Sequence, residues 1–144
     1  MTPEAVVAKL TRLLVFFVAL LLTPVNGRQD CSWVTGQLAC RKQPRRVLNA
    51  EITLMDRDGA GWFDWIDRDD MMGRAYPDAD GRFTVSGCAG DHDWLPFYAN
   101  LPEPYLLIYH YCNDPVNGEL LRLPEFRVFQ PHTHEIRGVI VLDN

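Results

Sequence analysis

No run of apolar residues in this 144-residue chain is long enough to cross a membrane. The longest, Leu13 to Leu22, would reach only about 15 Å as a helix, half the hydrocarbon thickness. Basic charge is also scarce, with 14 Lys and Arg against 19 Asp and Glu and a net charge of −5. That balance argues against nucleic acid, whose affinity rests on neutralising phosphates, and against attraction to anionic membranes. There is no Asn-x-Ser/Thr acceptor for an N-glycan. The cysteines stand at 31, 40, 88 and 112, so the close Cys pairs of zinc sites and thioredoxin-like motifs are missing. The Gly-x-Ser-x-Gly nucleophile elbow is missing as well. No long segment combines a helical apolar period with helix caps.

What is there begins with an address. Lys9 and Arg12 precede the apolar run, Thr23-Pro24 closes it, and Val25-Asn26-Gly27 follows. This is the pattern of a secretory signal peptide, expected to span residues 1–27, with one domain over 28–144. Its removal takes Lys9, Arg12 and Glu4, leaving 12 basic against 18 acidic residues. All four cysteines remain, and an even count in an oxidising compartment implies two disulfides and no free thiol. Four cysteines allow three pairings, and spacing alone does not choose among them. The C-terminal residues carry no apolar tail of the GPI-anchor kind.

Within the domain the apolar period is two, which predicts strands. Val34, Gly36 and Leu38 alternate with Thr35 and Gln37; Leu48, Ala50, Ile52 and Leu54 alternate with Asn49, Glu51 and Thr53. Asp80-Gly81 reads as a turn leading into Phe83 and Val85. Tyr105 to Tyr111 is apolar or aromatic on both faces, the mark of a central strand covered on each side. Ile136, Ile140 and Leu142 continue the pattern near the end. The predicted strands are 33–39, 47–56, 72–76, 82–86, 105–111, 126–129 and 136–142, separated by Pro- and Gly-bearing turns, as in a sandwich or barrel.

Four blocks in order resemble the nematode transthyretin-like family: Val34-Thr-Gly-Gln-Leu-Ala-Cys40, Val47 to Asp58, Asp78-Ala-Asp-Gly-Arg-Phe-Thr-Val-Ser-Gly87, and Pro104-Tyr-Leu-Leu-Ile-Tyr-His-Tyr-Cys-Asn113. The resemblance implies an all-β fold, a disulfide-stabilised, transthyretin/prealbumin-like Greek-key β-sandwich of about seven strands. It implies pairing of Cys40 with Cys112, which leaves Cys31 with Cys88. Two regions depart from the family pattern. Residues between Arg57 and Tyr76 are unusually aromatic, and Glu125 to Leu142 match loosely.

Four features of the sequence are candidates for chemistry or recognition. Asp56-x-Asp58-Gly59 and Asp78-x-Asp80-Gly81 each resemble part of a calcium loop but lack the third early ligand and the twelfth-position Glu, so turns between strands are the first reading; the second is a weak extracellular calcium site to which Asp67, Asp69 and Asp70 could supply further oxygens. His132 and His134 share a strand face, but two ligands do not make a metal site; His110, beside Cys112, reads as structural. Enzymatic relatives of transthyretin hydrolyse 5-hydroxyisourate and end in Tyr-Arg-Gly-Ser, whereas this chain ends Val139-Ile-Val-Leu-Asp-Asn144. Trp62, Phe63, Trp65 and Ile66 stand among Asp64, Asp67, Asp69 and Asp70. Apolar rings held near the surface by acids suggest a contact site for a partner or lipid; the alternative is that they cap an end of the sandwich. Trp94, Phe97 and Tyr98 form a second aromatic stretch.

The expected function is therefore a secreted binding module without catalysis, metal or cofactor. It would act as an adaptor or carrier for an extracellular protein, a lipid, a small hydrophobic ligand or a cell-surface molecule. No nucleic acid and no stable membrane insertion are expected, and oligomeric state is left open. A structural component of the extracellular matrix is the second reading, and a hydrolase related to 5-hydroxyisourate hydrolase the third.

Overall fold

The computed structural model describes residues 3–21, 29–57, 69–90, 102–128 and 133–143. An α-helix, α1, spans Pro3–Leu21 and is followed by strands β1 (Gln29–Ala39), β2 (Glu51–Asp56), β3 (Asp70–Ala75), β4 (Arg82–Gly90), β5 (Pro104–His110), β6 (Glu119–Arg122) and β7 (Thr133–Val141). They form two sheets, ordered β4-β1-β7 and β3-β2-β5-β6. The chain passes repeatedly from one sheet to the other, so neighbours in sequence are often on opposite layers. All pairings are antiparallel except β1 with β7, which is parallel.

Alternation places the core. Val34 and Leu38 of β1, Ile52 and Leu54 of β2, Phe83 and Val85 of β4, and Leu106 and Ile108 of β5 are all buried. Burying each such side chain stabilises the fold by about 1.5–3 kcal/mol relative to leaving it in water. In α1 the described apolar side chains, Leu13, Leu14, Val15 and Phe16 among them, are exposed.

Three expectations are corrected. The stretch 47–50 is not strand: Pro44–Asn49 forms a 3₁₀ turn with Pro at its start. Val47 is buried there and Leu48 is 48% exposed, so the alternation holds from Ala50 onward but not at Leu48. The second concerns the sixth strand, which is Glu119–Arg122 rather than 126–129. Leu123 N–H still donates to Leu106 O, at 2.9 Å. Pro124 has no N–H to continue the ladder, and the next donor to β5 is Phe126, to Pro104 O at 2.9 Å. Phe126 therefore touches β5 without joining it as a regular strand, and the chain has left β5 by Val128; residue 129 lies outside the described residues. The third is the cover on β5. It is central, but on its outer face only Tyr105 is buried, and Tyr109 is 36% exposed.

The two sides of the sandwich close differently. At β3 and β4 the backbones of the two layers nearly touch. A Cβ on Gly73 would stand 2.1 Å from Ser86 O, and one on Gly87 would stand 2.2 Å from Met72 O. Opposite, the segment after β6 crosses between sheets; Ser32 Oγ donates to Val128 O at 2.8 Å, and the Phe126 ring stacks on His134 with centroids 4.5 Å apart. In β7 a bulge opposite Gly36 lets three residues face one, with Gly138 at φ +83° and open space around it.

Gly73→Ala is expected to destabilise by about 3 kcal/mol or more, since rigid backbone cannot yield to the new methyl. Gly138→Ala should cost only about 1–2 kcal/mol, the penalty of a left-handed backbone alone. Urea unfolding of both variants checks the order.

Candidate functional site

The strand registers give the sandwich two unlike poles. At one, β1 ends beside the end of β7, β5 ends at His110, and Cys40 is joined to Cys112. Both sulfurs' residues are buried, at 2% and 3% exposure. Asp143 completes this end, accepting the N–H of Arg41 at 2.6 Å and of Lys42 at 2.5 Å. The Lys42 amide first, and Arg41 after it, hold its carboxyl below the usual range. His110 is buried, and its Nδ1 accepts the Cys112 N–H at 3.4 Å. Burial lowers its pKa, with Glu119 and Asp143 acting in opposition.

At the other pole β1 begins, paired Gln29 to Gly90, and Cys31 is joined to Cys88. Here Asp56 lies opposite both Asp70 and Pro104. Buried Asp56 accepts the Glu103 N–H at 2.7 Å, and Arg57 N–H donates to Glu103 O at 3.3 Å. Tyr105 donates its hydroxyl to Asp69 Oδ2 at 2.5 Å, and Arg122 lies 4.0 Å over its ring. Burial first, then the bond to Asp69, pushes the Tyr105 phenol up to about 12. A hollow of about 290 Å³ opens on the seam between β3 and β4, touched by Asp56, Asp70, Met72, Cys88 and Gly90.

Three stretches outside the described residues, 58–68, 91–101 and 129–132, have both their flanking described residues at this Cys31 pole. The aromatic residues Trp62, Phe63, Trp65 and Ile66 fall in the first, and Trp94, Phe97 and Tyr98 in the second; all lie outside the described residues. The four cysteines pair as the family resemblance implies, Cys31 with Cys88 and Cys40 with Cys112. Asp78 forms a turn, its Oδ1 accepting the N–H groups of Asp80 at 2.9 Å and Arg82 at 2.8 Å. His134 packs against Phe126, while His132 lies outside the described residues. No group of three or more His, Cys, Asp or Glu suited to a metal occurs among the described residues. Sequence reasoning missed the roles of Asp69, Tyr105 and Arg122. A single acid within an acidic run and a tyrosine within an apolar strand carry no signal that they will meet.

The transthyretin-like family model matches residues 35–124. The chain belongs to the transthyretin-like family. Among curated relatives, Transthyretin-like protein 1 of Caenorhabditis elegans is 36% identical over 89 residues, covering 61% of this chain and 51% of the relative. Transthyretin-like protein 46 of the same organism is 29% identical, over 73% of this chain and 51% of that one, and Transthyretin-like protein 16 is 33% identical, over 66% and 60%. This transthyretin-like chain thus spans about half to three-fifths of the length of the relatives it matches. A 9R-lipoxygenase from Cyanothece aligns at a TM-score of 0.41 with 17% identity, over 84% of this chain and 17% of that one, too distant to bear on function. The transthyretin-like match begins within β1 and ends just beyond β6, so it takes in both flanks of the 58–68 and 91–101 stretches.

Two outcomes follow for this transthyretin-like domain. Tyr105 should ionise near 12 instead of the usual 10.0, and Asp69→Asn should lower that value without restoring 10.0, because burial is the larger cause. The raised phenol means that Tyr105's contribution to stability is complete below pH 10.0 and is lost as pH rises through about 12. Ultraviolet titration at the phenolate band, comparing wild type, Asp69→Asn and Tyr105→Phe, reads this directly. Asp143→Asn should lower the melting temperature at neutral pH, since an amide nitrogen would then face an N–H donor. A depressed carboxyl stabilises above its unfolded pKa and loses that effect as pH falls through its folded pKa. The gap between wild type and Asp143→Asn should therefore narrow on acidification, as followed by thermal melts across an acid pH series.

Proposed function

We propose that this protein is a secreted extracellular binding module that performs no chemistry and engages its partner through the Cys31 pole. The single observation carrying the reading is the convergence at that pole of both flanks of 58–68 and 91–101, the two stretches that contain the clustered aromatics. Loops on a rigid sheet scaffold are where recognition residues are commonly carried, because they vary without disturbing the core. Large rings at such a place each remove roughly 150–250 Å² from water on contact. The acids among them favour a basic protein surface over an anionic bilayer. Secretion is supported by the two disulfides, which persist in oxidising compartments. The basic residues ahead of the short apolar run support reading residues 1–27 as a leader, and the exposed apolar side chains of α1 agree.

The test is the double variant Trp62→Ala, Trp65→Ala in the mature domain. Binding of labelled protein to cell-surface preparations is expected to weaken by about tenfold or more, with the melting temperature unchanged. A large fall in melting temperature with binding retained per folded molecule would show that the rings cap the core, and would end the proposal.

A further inference from the structure

The two disulfides differ in what surrounds them. Cys40–Cys112 is buried and ties one sheet to the other. Cys31–Cys88 joins two residues directly opposite each other on adjacent strands of the same sheet; Cys88 is exposed and Cys31 half-buried. The ladder holding those strands runs through nine registered pairs, from Gln29 with Gly90 to Gln37 with Arg82. Opening the Cys31–Cys88 bond therefore requires no separation of strands and no exposure of core. Opening Cys40–Cys112 requires solvent to reach the interior. Thiol–disulfide exchange depends on access of a thiolate to one sulfur, and only one of the two bonds offers it in the folded state.

Cys88 also borders the hollow between β3 and β4, whose described lining includes the exposed Asp70 and no Lys or Arg. We propose that Cys31–Cys88 is a thiol-exchange site, selective for a thiol carried on a positively charged group. The incoming thiolate sulfur bonds to Cys88 Sγ while the Cys31–Cys88 bond breaks. The electron pair leaves on Cys31 Sγ, which takes a proton from water. The product is a mixed disulfide at Cys88 and a free thiol at Cys31, with no net gain or loss of electrons. The site stands whether or not the aromatic stretches bind a partner, because it rests on the β1–β4 ladder and on Asp70.

The experiment uses the intact folded protein and two small thiols, cationic cysteamine and anionic 2-mercaptoethanesulfonate. They are supplied at equal thiolate concentration, and their rates are normalised to those on a small neutral disulfide. Reactions are quenched with iodoacetamide and mapped by peptide mass spectrometry. The expected result is an adduct on Cys88, alkylation of Cys31 and an intact Cys40–Cys112 bond. Cysteamine should lead by about tenfold at low salt, as electrostatic steering allows, and the lead should shrink as salt is added and in Asp70→Asn. Opening of Cys40–Cys112 as fast as Cys31–Cys88, an adduct on Cys31, or equal normalised rates for the two thiols would each overturn the proposal. A Cys31→Ala, Cys88→Ala variant that keeps the wild-type near-ultraviolet circular dichroism is the expected sign that strands, rather than this bond, hold the local geometry; loss of that spectrum would count against it.

Discussion

The bond between Cys40 and Cys112 joins the residue just past the end of one central strand to the second residue past the end of another. β1 is the middle of the three-stranded sheet and β5 an inner strand of the four-stranded one, so a single covalent link fixes the two layers at their centres. Loss of such a bond typically costs about 2–5 kcal/mol. Neighbouring contacts depend on the same placement. Leu142 N–H reaches Ala39 O at 2.9 Å, Asp143 gathers the two amides after Cys40, and Asn113 Nδ2 donates to Glu119 at 2.7 Å and to Leu142 O at 3.3 Å. The strand ends and the C-terminal residues are thus held together at one end, Asp143 and Asn113 bridging segments distant in sequence through part-buried bonds.

A sandwich fixed at one end can vary at the other. At the Cys31 pole several of the described contacts lie between exposed side chains. Arg57 with Glu125 at 3.0 Å and Arg127 with Glu103 at 2.5 Å are ion pairs between partly exposed side chains, a kind that stabilises by about 0–1 kcal/mol. The firmer element there is Tyr105, held by Asp69 and covered by Arg122. It anchors the beginning of β5 and the approach to β3 without filling the seam beside Cys88.

Much of this was legible in the sequence because a strand buried on one face writes its burial directly into alternate residues. Val34, Leu38, Ile52, Leu54, Phe83 and Val85 were placed that way, and each is in the core. The pattern fails where burial is not the deciding force. Glu119–Arg122 is an edge strand of four residues with none of them fully buried, so it carries almost no apolar signal, and Pro124 obscures how the chain continues beside β5. Val47 and Leu48 exchange places because a 3₁₀ turn, not a strand, presents them. The aromatic residues at 61–66 are conspicuous in the sequence, yet aromaticity alone does not separate a ring that caps a core from one that meets a partner.

Gly73 and Gly87 show the same limit from the opposite side. Their importance lies in what the missing side chain permits: two backbones from different layers in near contact, with Ser86 O and Met72 O where a Cβ would stand. That approach draws β3 and β4 together along one side and leaves the hollow at the end of their seam, where Asp70, Met72 and Cys88 meet. Alternation predicts which residues face inward, but not how close the two layers come at an edge. The close approach therefore connects two features that sequence reading treats separately, a pair of unremarked glycines and a disulfide at the surface. It is because the strands stay together through backbone packing and a nine-pair ladder that Cys88 can be an exposed residue while the core behind it stays closed.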